Sequence, residues 1–225
     1  MSRRNKELAV GRGCSVQAGK MIVCDGSNGA GKSTVLAALH RHLVSRGTHP
    51  TMTREPGGTP IGEKIRELLL SRDSGEMCDV TELLLFAAAR AQHLNEKILP
   101  VLQSGGIVIS DRFDSATLSF QHYARGLPYE LVVAINGFAI QGFKPDLTII
   151  LDLDPMVGLQ RITGRGDAPD RLEQENLSFL ARARFGYLEQ ARLNPETFVV
   201  IDAARPLEDV VAQAISAVER LLGRG

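Results

Sequence analysis

The sequence predicts an α/β fold, with a central parallel sheet of about five strands flanked by helices on both faces. Short apolar runs rich in β-branched residues alternate along the chain with stretches of helical length that have one apolar face. Strands separated by helices are typical of a parallel sheet that helices cover on both sides. The predicted strands are residues 21–25, 51–53, 107–111, 147–151 and 198–201. The predicted helices include residues 33–45, 61–70, 80–102, 155–162, 172–191 and 207–222.

Composition and charge limit the classes of function. The 225 residues fit one domain, or one domain with a small mobile insert. Lys and Arg together number 26, and so do Asp and Glu, so no overall field would attract nucleic acid or an anionic membrane. We therefore expect no nucleic-acid partner and no membrane partner. An acidic substrate would need a local cluster of arginines.

Two further observations indicate a cytoplasmic protein. No apolar run approaches the ~20 residues of a membrane span, and the N-terminus has no signal-peptide core. The cysteines, Cys14, Cys24 and Cys78, are odd in number and far apart in the chain. This usage is expected for free thiols in a reducing compartment.

The N-terminal segment differs from the rest of the chain. Residues 1–19 are basic, contain several glycines and show no sustained apolar periodicity. We expect a disordered leader there, with a nucleic-acid-binding arm as the alternative. Residues 20–225 are predicted to form a single domain.

A phosphate-binding loop is the strongest local motif. The residues Gly-Ser-Asn-Gly-Ala-Gly-Lys-Ser at positions 26–33 match G-x-x-x-x-G-K-[ST] and lie between a predicted strand and a predicted helix. The glycines let backbone N–H groups surround phosphate oxygens at the positive end of the helix. Lys32 would reach the terminal phosphates, and the Ser33 hydroxyl would ligate Mg²⁺. The predicted ATP-binding residues here are Gly26, Ser27, Asn28, Gly29, Ala30, Gly31, Lys32, Ser33 and Thr34.

Charged residues follow two of the other predicted strands. Arg54 comes directly after the second strand, Arg66 lies on the next helix, and Asp111 and Arg112 end the third strand. Because the carboxyl ends of parallel strands meet at one edge, these side chains should lie beside the phosphate loop. Asp111 suits a metal–water shell and Arg112 an anionic oxygen. The alternative for Asp111 and Arg112 is a structural ion pair at the strand end.

Five segments together resemble the bacterial thymidylate kinases, a family of P-loop nucleoside monophosphate kinases. They are the phosphate loop, TREPGGT at 53–59, LLLFAAARAQH at 83–93, DRF at 111–113 and DRLEQE at 170–175. The resemblance implies the P-loop nucleoside monophosphate kinase fold with a lid, ATP and Mg²⁺ as cofactors, and a homodimer. The implied reaction is the transfer of a phosphoryl group from ATP to dTMP, giving dTDP and ADP.

The resemblance also implies roles on the acceptor side. Phe86 would stack on the thymine ring, Arg90 would hydrogen-bond an exocyclic oxygen of the base, and Arg66 and Arg112 would hold the acceptor phosphate. Phe86 and Arg90 are four residues apart, so a helix places them on one face. The full predicted acceptor set is Asn28, Arg54, Glu55, Arg66, Phe86, Arg90, Arg112, Thr117, Phe120 and Gln121.

One alternative and one further prediction concern these acceptor-side segments. Phe86 would otherwise join the core with Leu83 and Leu84. The bond between Glu55 and Pro56 joins a strand end to a Gly-Gly turn, and we predict that it is cis, because only X–Pro bonds adopt that isomer at low cost.

The lid is predicted at residues 161–171, where glycines flank an arginine between two helical stretches. The phosphate loop contains no arginine, and relatives of that kind supply the cation from the lid. The resemblance therefore makes Arg165 the candidate catalytic arginine, while Arg161 would pack on the adenine. A solvated basic loop is the alternative.

The predicted catalytic residues are thus Lys32, Asp111, Arg112 and Arg165, with Ser33 and Asp111 at the metal. Asn28, Ala116 and Phe120 depart from a carboxylate, a serine and a tyrosine that are usual in the family. These departures keep a second reading open, in which the acceptor is another or a modified deoxynucleoside monophosphate. A non-catalytic nucleotide-binding regulator is the third reading.

Overall fold

Five parallel strands in the order β2-β3-β1-β4-β5 form the centre of the computed structural model, which describes residues 19–163, 170–172 and 174–224. Each neighbouring pair runs parallel. The predicted parallel sheet is confirmed. The strands are β1 (Lys20–Gly26), β2 (Thr51–Arg54), β3 (Ile107–Asp111), β4 (Leu147–Asp152) and β5 (Phe198–Asp202).

Helices cover both faces of this sheet. They are α1 (Lys32–Ser45), α2 (Pro60–Leu70), α3 (Asp79–His93), α4 (Leu99–Gln103), α5 (Asp114–Thr117), α6 (Tyr129–Ile140), α7 (Pro155–Thr163), α8 (Leu177–Leu193) and α9 (Leu207–Leu221). Two π-helical segments, Leu94–Ile98 and Leu118–Ala124, continue α3 and α5. None of the helices in the described part of the chain is long and apolar enough to cross a membrane.

The side chains of β1 alternate between two cores. Ile22 and Cys24 are fully buried against α1 and α9, whereas Met21 and Val23 are fully buried against the opposite layer, which includes Ile140 of α6. Successive side chains of a strand point to opposite faces, so a central strand without polar interruption is expected to be buried on both. The phosphate loop therefore starts from the most enclosed strand of the molecule.

Most observed boundaries lie within a residue of the predicted ones, and three regions differ in other ways. The stretch 80–102 is α3, a π-helical segment and α4 rather than one uniform helix. Helix α8 begins five residues later than predicted, because the Asn176 side chain accepts a hydrogen bond from the Phe179 N–H (2.9 Å) and caps it there. Gly19, expected in the leader, already donates its N–H to Leu102 O (3.1 Å).

Candidate active site

The phosphate loop connects β1 to α1 and contains three glycines in the left-handed region. Gly26, Gly29 and Gly31 have φ values of 122°, 76° and 89°, which L side chains rarely adopt. The Lys32 ammonium donates to the loop carbonyls of Gly26 (3.3 Å) and Ser27 (3.0 Å). Burial and the nearby Arg112 guanidinium lower the pKa of Lys32 to about 8. The loop thus has the geometry of an anion-binding nest with its cation in place.

The backbone of this loop touches the backbone of α7. A Cβ atom on Gly29 would lie 2.3 Å from Gly158 O, and a Cβ atom on Gly158 would lie 2.3 Å from Asn28 O. Ser27 Oγ also donates to Leu153 O (3.1 Å), just before α7. Both glycines are required by this close approach.

Arg112 is held against the loop by a buried carboxylate. It has a φ of 68°, and its guanidinium donates to Asp25 Oδ1 (2.8 Å), to the Tyr187 hydroxyl (2.7 Å) and to Asn28 Oδ1 (2.5 Å). Tyr187 in turn donates to Asp25 Oδ1 (2.6 Å), while Ser115 Oγ donates to Asp25 Oδ2 (2.8 Å). The guanidinium is therefore fixed before any acceptor phosphate arrives.

This arrangement bears on the alternative given for Arg112, a structural ion pair with Asp111 at the strand end. The strand-end ion pair forms with Asp25 and not with the adjacent Asp111. Asp25 had a sequence signal, since a carboxylate ends the apolar run of β1 directly before the loop. Tyr187 lies 162 residues from Asp25, and no local pattern indicates their contact.

Asp111 has the properties of a cation ligand. Its Oδ1 is buried, and none of the described residues donates a hydrogen bond to it. Asp111 and Ser33 line the same cavity. Mg²⁺ is usually bound by one or two protein oxygens together with water and substrate phosphates. Within the described ranges no three His, Cys, Asp or Glu side chains form a metal cage, so these two residues fit Mg²⁺ held chiefly by a bound nucleotide.

A cavity of about 250 Å³ extends from the phosphate loop toward α3 and α5. It brings together most of the predicted site residues. Those that line it are Asn28, Gly29, Gly31, Lys32, Ser33, Arg54, Glu55, Arg66, Phe86, Arg90, Asp111, Arg112, Thr117, Phe120 and Gln121. The other predicted ATP-binding residues lie in the loop or the first turn of α1, outside that wall, and are Gly26, Ser27, Ala30 and Thr34.

Arg90 is the largest fully buried side chain among the described residues, with 1% of its surface exposed. It donates to Glu55 Oε2 (2.8 Å), Thr117 Oγ1 (2.7 Å), Asn136 Oδ1 (2.8 Å) and Phe113 O (2.9 Å). These acceptors lie in three separate segments of the chain and hold the guanidinium in one orientation. Asn136 on α6 was not among the predicted residues.

Glu55 lines the cavity and also holds two buried side chains behind the cavity wall. Its Oε2 accepts from Arg90, and its Oε1 lies 2.9 Å from Nδ1 of the fully buried His93. His93 Nε2 lies 2.6 Å from Thr53 Oγ1, which fixes the end of β2. The Glu55–Pro56 bond is cis, as predicted.

Two arginines stand at the loop-facing end of the acceptor side. Arg66 on α2 donates to Pro56 O (2.9 Å), and Arg54 pairs with Glu63 (2.8 Å). Partial burial and the neighbouring Arg54 charge lower the pKa of Arg66. An anionic ligand between these cations would relieve their repulsion.

The aromatic walls of the cavity are Phe86 and Phe120. Phe86 is half-buried on α3 and lines the cavity, whereas Leu83 is fully buried and Leu84 is 51% exposed. Phe120 is packed edge-on against Tyr187 (6.2 Å between ring centroids), and the Arg112 guanidinium lies 5.4 Å above its ring. Phe86 therefore offers a face to the cavity, and Phe120 supports the arginine.

The predicted lid residues fall into two groups. Arg165 lies outside the described residues. Arg161, at the end of α7, is exposed and donates to Ala203 O (3.4 Å), beyond β5. Arg171 donates to Leu69 O (2.8 Å) and pairs with the buried Glu82 on α3, so residues 170–172 are anchored to α2 and α3.

Comparisons with known proteins agree with this geometry. The sequence model of the family described as thymidylate kinase matches residues 24–214. A thymidylate kinase from Geobacillus thermodenitrificans is 48% identical over 195 residues, which are 86% of this chain and 87% of that protein. Those from Geobacillus sp. (strain WCH70) and Desulfosudis oleivorans are 44% and 46% identical, over 92% and 89% of this chain and 99% and 96% of theirs. The chain therefore belongs to the thymidylate kinase family.

Proposed function

We propose that the protein transfers the γ-phosphoryl group of ATP to dTMP and releases ADP and dTDP. The observation that carries this proposal is the single cavity that joins the phosphate loop to Arg112, Arg90 and Phe86. It would bring the phosphates of ATP, held by the loop, to an acceptor nucleotide held by these side chains. The relatives named above are thymidylate kinases, which identifies dTMP as the acceptor to test first.

The residues act by positioning and charge, because an acceptor phosphate is already an anionic nucleophile. Arg112 and Arg66 hold the acceptor phosphate, and the backbone N–H groups of the loop hold the phosphates of ATP. Lys32 leaves the loop carbonyls to which it donates and binds the terminal phosphates. Arg165 neutralises the phosphoryl group as it moves between the two nucleotides.

Ser33 and Asp111 would hold Mg²⁺, with most of its remaining ligands coming from phosphate and water. The ion would supply positive charge that neutralises the phosphates. At the other end of the cavity Phe86 stacks on the base, and Arg90 donates to an exocyclic oxygen. Arg161, beside Ala203, would pack against the adenine of ATP.

A coupled assay of ADP release with a panel of nucleoside monophosphates tests this function. We expect the highest kcat/KM with dTMP, and a loss of about 10²–10³-fold in kcat for Lys32→Met, because a positioned charge acts only on the transition state. Arg192→Ala, on the exposed surface of α8, is the matched control and should leave kcat unchanged. Absence of turnover with every monophosphate would favour the nucleotide-binding regulator.

A second acceptor remains a candidate because Asn28 stands where the family has a carboxylate. Asn28 Oδ1 accepts from Arg112 (2.5 Å), so it is engaged within the protein and carries no charge. A deoxynucleotide with a modified sugar is the class that this change would favour. The same panel, extended to sugar-modified analogues, separates the two acceptors.

We further infer a homodimer, supported by apolar side chains on α2, α3 and α6. Helix α3 packs against both of the others. The exposed apolar residues are Ile61, Leu68, Val80, Leu84, Leu131, Val133 and Phe138. Contiguous exposed apolar surface is typical of subunit interfaces.

Phe138, which is 86% exposed, makes this inference testable. Phe138→Glu should shift sedimentation from dimer to monomer, whereas Phe185→Glu, at an aromatic on α8 that is 59% exposed, should not. A wild-type monomer at micromolar concentration would contradict the dimer.

For location we infer the cytoplasm, supported by Cys24 and Cys78, which are both free thiols.

A further inference from the structure

A buried carboxylate outside the reacting centre contacts one of the residues that line the acceptor cavity. Glu82 lies in the first turn of α3, four residues before Phe86, and is 1% exposed. Its Oε1 accepts from Gln121 Nε2 (3.0 Å) and from Arg125 Nε (3.1 Å). Its Oε2 accepts from Arg125 (3.0 Å) and from Arg171 (2.5 Å).

Glu82 is ionised in this environment. Burial opposes its ionisation, but hydrogen bonds from Arg125 and Gln121 outweigh burial and lower the pKa of Glu82 below its usual range. An ionised carboxylate only accepts hydrogen bonds, whereas a glutamine amide has one donating and one accepting end. Gln121 must therefore turn its NH₂ group toward Glu82, and the alternative amide rotamer would place two acceptors in contact.

The other end of the Gln121 amide is then available to a ligand. Gln121 lines the cavity together with Phe86 and Arg90. Among the residues that the structure describes, none donates a hydrogen bond to Gln121 Oε1. The cavity thus presents a fixed acceptor, Gln121 Oε1, on the side where Arg90 presents a fixed donor.

This order of donor and acceptor matches one class of base. The imide edge of thymine or uracil carries a carbonyl oxygen next to an N–H group, and cytosine carries an amino group next to an unprotonated ring nitrogen. Given the proposed phosphorylation of a pyrimidine nucleotide, on which this inference rests, the orientation of Gln121 decides which edge is accepted. We propose that Glu82 is a positioning residue that selects imide-bearing pyrimidine nucleotides by fixing the amide of Gln121.

The substitution Glu82→Gln tests this role because it reverses the constraint. The carbonyl oxygen of the new side chain would stay with Arg171 and Arg125, and its NH₂ group would then face Gln121. Gln121 would turn its Oε1 toward that NH₂ group and present its own NH₂ group to the cavity. We expect the ratio of kcat/KM for dTMP to that for dCMP to fall by about 10- to 100-fold.

A change in this ratio separates positioning from general damage. Any mismatch between Arg90 and the cytosine amino group is common to both enzymes and cancels when the two ratios are divided. Glu82→Asp, which keeps a group that only accepts, should retain most of the wild-type ratio. Arg125→Met removes a partner of Glu82 but leaves the carboxylate, so it should lower thermal stability and not the ratio.

Failure of the role proposed for Glu82 can be distinguished from failure of the proposed function. Wild-type turnover with dTMP tests the proposed function alone, and calorimetric binding of dTMP and dCMP reports the same selectivity without turnover. An unchanged ratio in a folded Glu82→Gln variant, in both turnover and binding, would overturn the role of Glu82. If that variant does not fold, Gln121→Met is tested instead. A Gln121→Met variant that keeps the wild-type ratio of dTMP to dCMP would also overturn the role of Glu82.

Discussion

The phosphate loop presents backbone to its ligand, whereas the acceptor side of the cavity presents side chains that other side chains hold. The Lys32 ammonium donates hydrogen bonds to loop carbonyls 5 and 6 residues away in the chain. Arg90, in contrast, is held by residues 23 to 46 positions away. One half of the site is made by a single local turn, and the other by the packing of α3, α5 and α6.

This difference predicts that substitutions in the two halves fail in different ways. A residue that touches only the loop and a nucleotide is outside the core, so its loss removes rate and leaves the fold. A residue inside the Arg90 network is part of the core, and its loss leaves buried charge without a partner. Rate and stability measured on the same variants therefore distinguish the two halves.

The largest expected effect is a loss of kcat when the arginine proposed to bind the transferred phosphoryl group is removed. Arg165→Ala should lower kcat by about 10³–10⁵-fold and change KM for dTMP far less, because this type of arginine stabilises the transition state alone. Steady-state kinetics with both substrates varied measures the two parameters, and urea unfolding should be unchanged. A loss of kcat under about tenfold would move the role to Arg161 or Arg171.

The next effect is one of stability, in the acceptor half. Glu55→Ala would leave the buried Arg90 guanidinium without its carboxylate (2.8 Å), and breaking a buried pair costs about 3–5 kcal/mol in the free energy of unfolding. Urea denaturation followed by circular dichroism measures this cost. Glu189→Ala, which breaks an exposed pair with Arg192, should leave the midpoint where it is. An equally small shift for Glu55→Ala would show that the Arg90 network is not part of the core.

A smaller change in stability, this time an increase, is expected from a substitution at Asp114, which also lies in the acceptor half. Burial raises the pKa of Asp114 to about 6, and the carboxylates of Glu55 and Asp25 add to this effect. The charged form is therefore penalised in the folded state, and Asp114→Asn should raise the free energy of unfolding at pH 7.5 by about 1–3 kcal/mol.

The pH dependence supplies the control for Asp114. Above pH 6 the carboxylate is charged in both states and the penalty is complete. Well below its ordinary pKa of 3.8 it is neutral in both states, so the gain from Asp114→Asn should shrink as the pH falls from 6 toward 3.8 and vanish below that range. A gain that stays constant from pH 7.5 to 4.5 would mean that it does not come from this titration.

The smallest effect concerns Asn28, a loop side chain that contacts the acceptor half. Asn28 belongs to the loop but accepts from Arg112, and by family resemblance a carboxylate there accepts from the sugar 3′-hydroxyl. Charged hydrogen bonds contribute ~1.5–3 kcal/mol against ~1 for neutral ones, so Asn28→Asp should raise kcat/KM for dTMP severalfold.

Analogues with a 3′-azido or 3′-amino group provide the comparison for Asn28. They lack the hydroxyl that the carboxylate would hold, and their kcat/KM should respond differently to Asn28→Asp. An unchanged ranking of dTMP against these analogues would leave Asn28 without a role in specificity.

The contrast between the halves also explains which parts of the site could be predicted from the sequence. The sheet and the loop follow from local patterns, since alternating strands and helices and the spacing of Gly26, Gly31 and Lys32 are visible within short windows. The members of the acceptor cavity were predicted by resemblance, and Phe86, Arg90 and Gln121 do line it.

The hydrogen-bond partners that hold the cavity residues in place could not be predicted in the same way. Asp25 and Tyr187 are 162 residues apart, and Glu82 and Gln121 are 39 apart. Nothing in the neighbourhood of either residue in the sequence specifies its partner, because the contact exists only after the helices have packed. The start of α8 at Leu177 was also missed. Helix boundaries are hard to predict from sequence, and here the single cap at Asn176 sets the first residue of the helix.

The contact between Gly29 and Gly158 has a mechanical consequence. Two backbones that meet without any side chain between them have no rotamer that could absorb a displacement of one against the other. A shift of the loop on filling with phosphates must therefore be transmitted to α7, whose last turn enters the segment 161–171. A displacement of the loop would thus act on the backbone of α7 directly, without a relay of side chains.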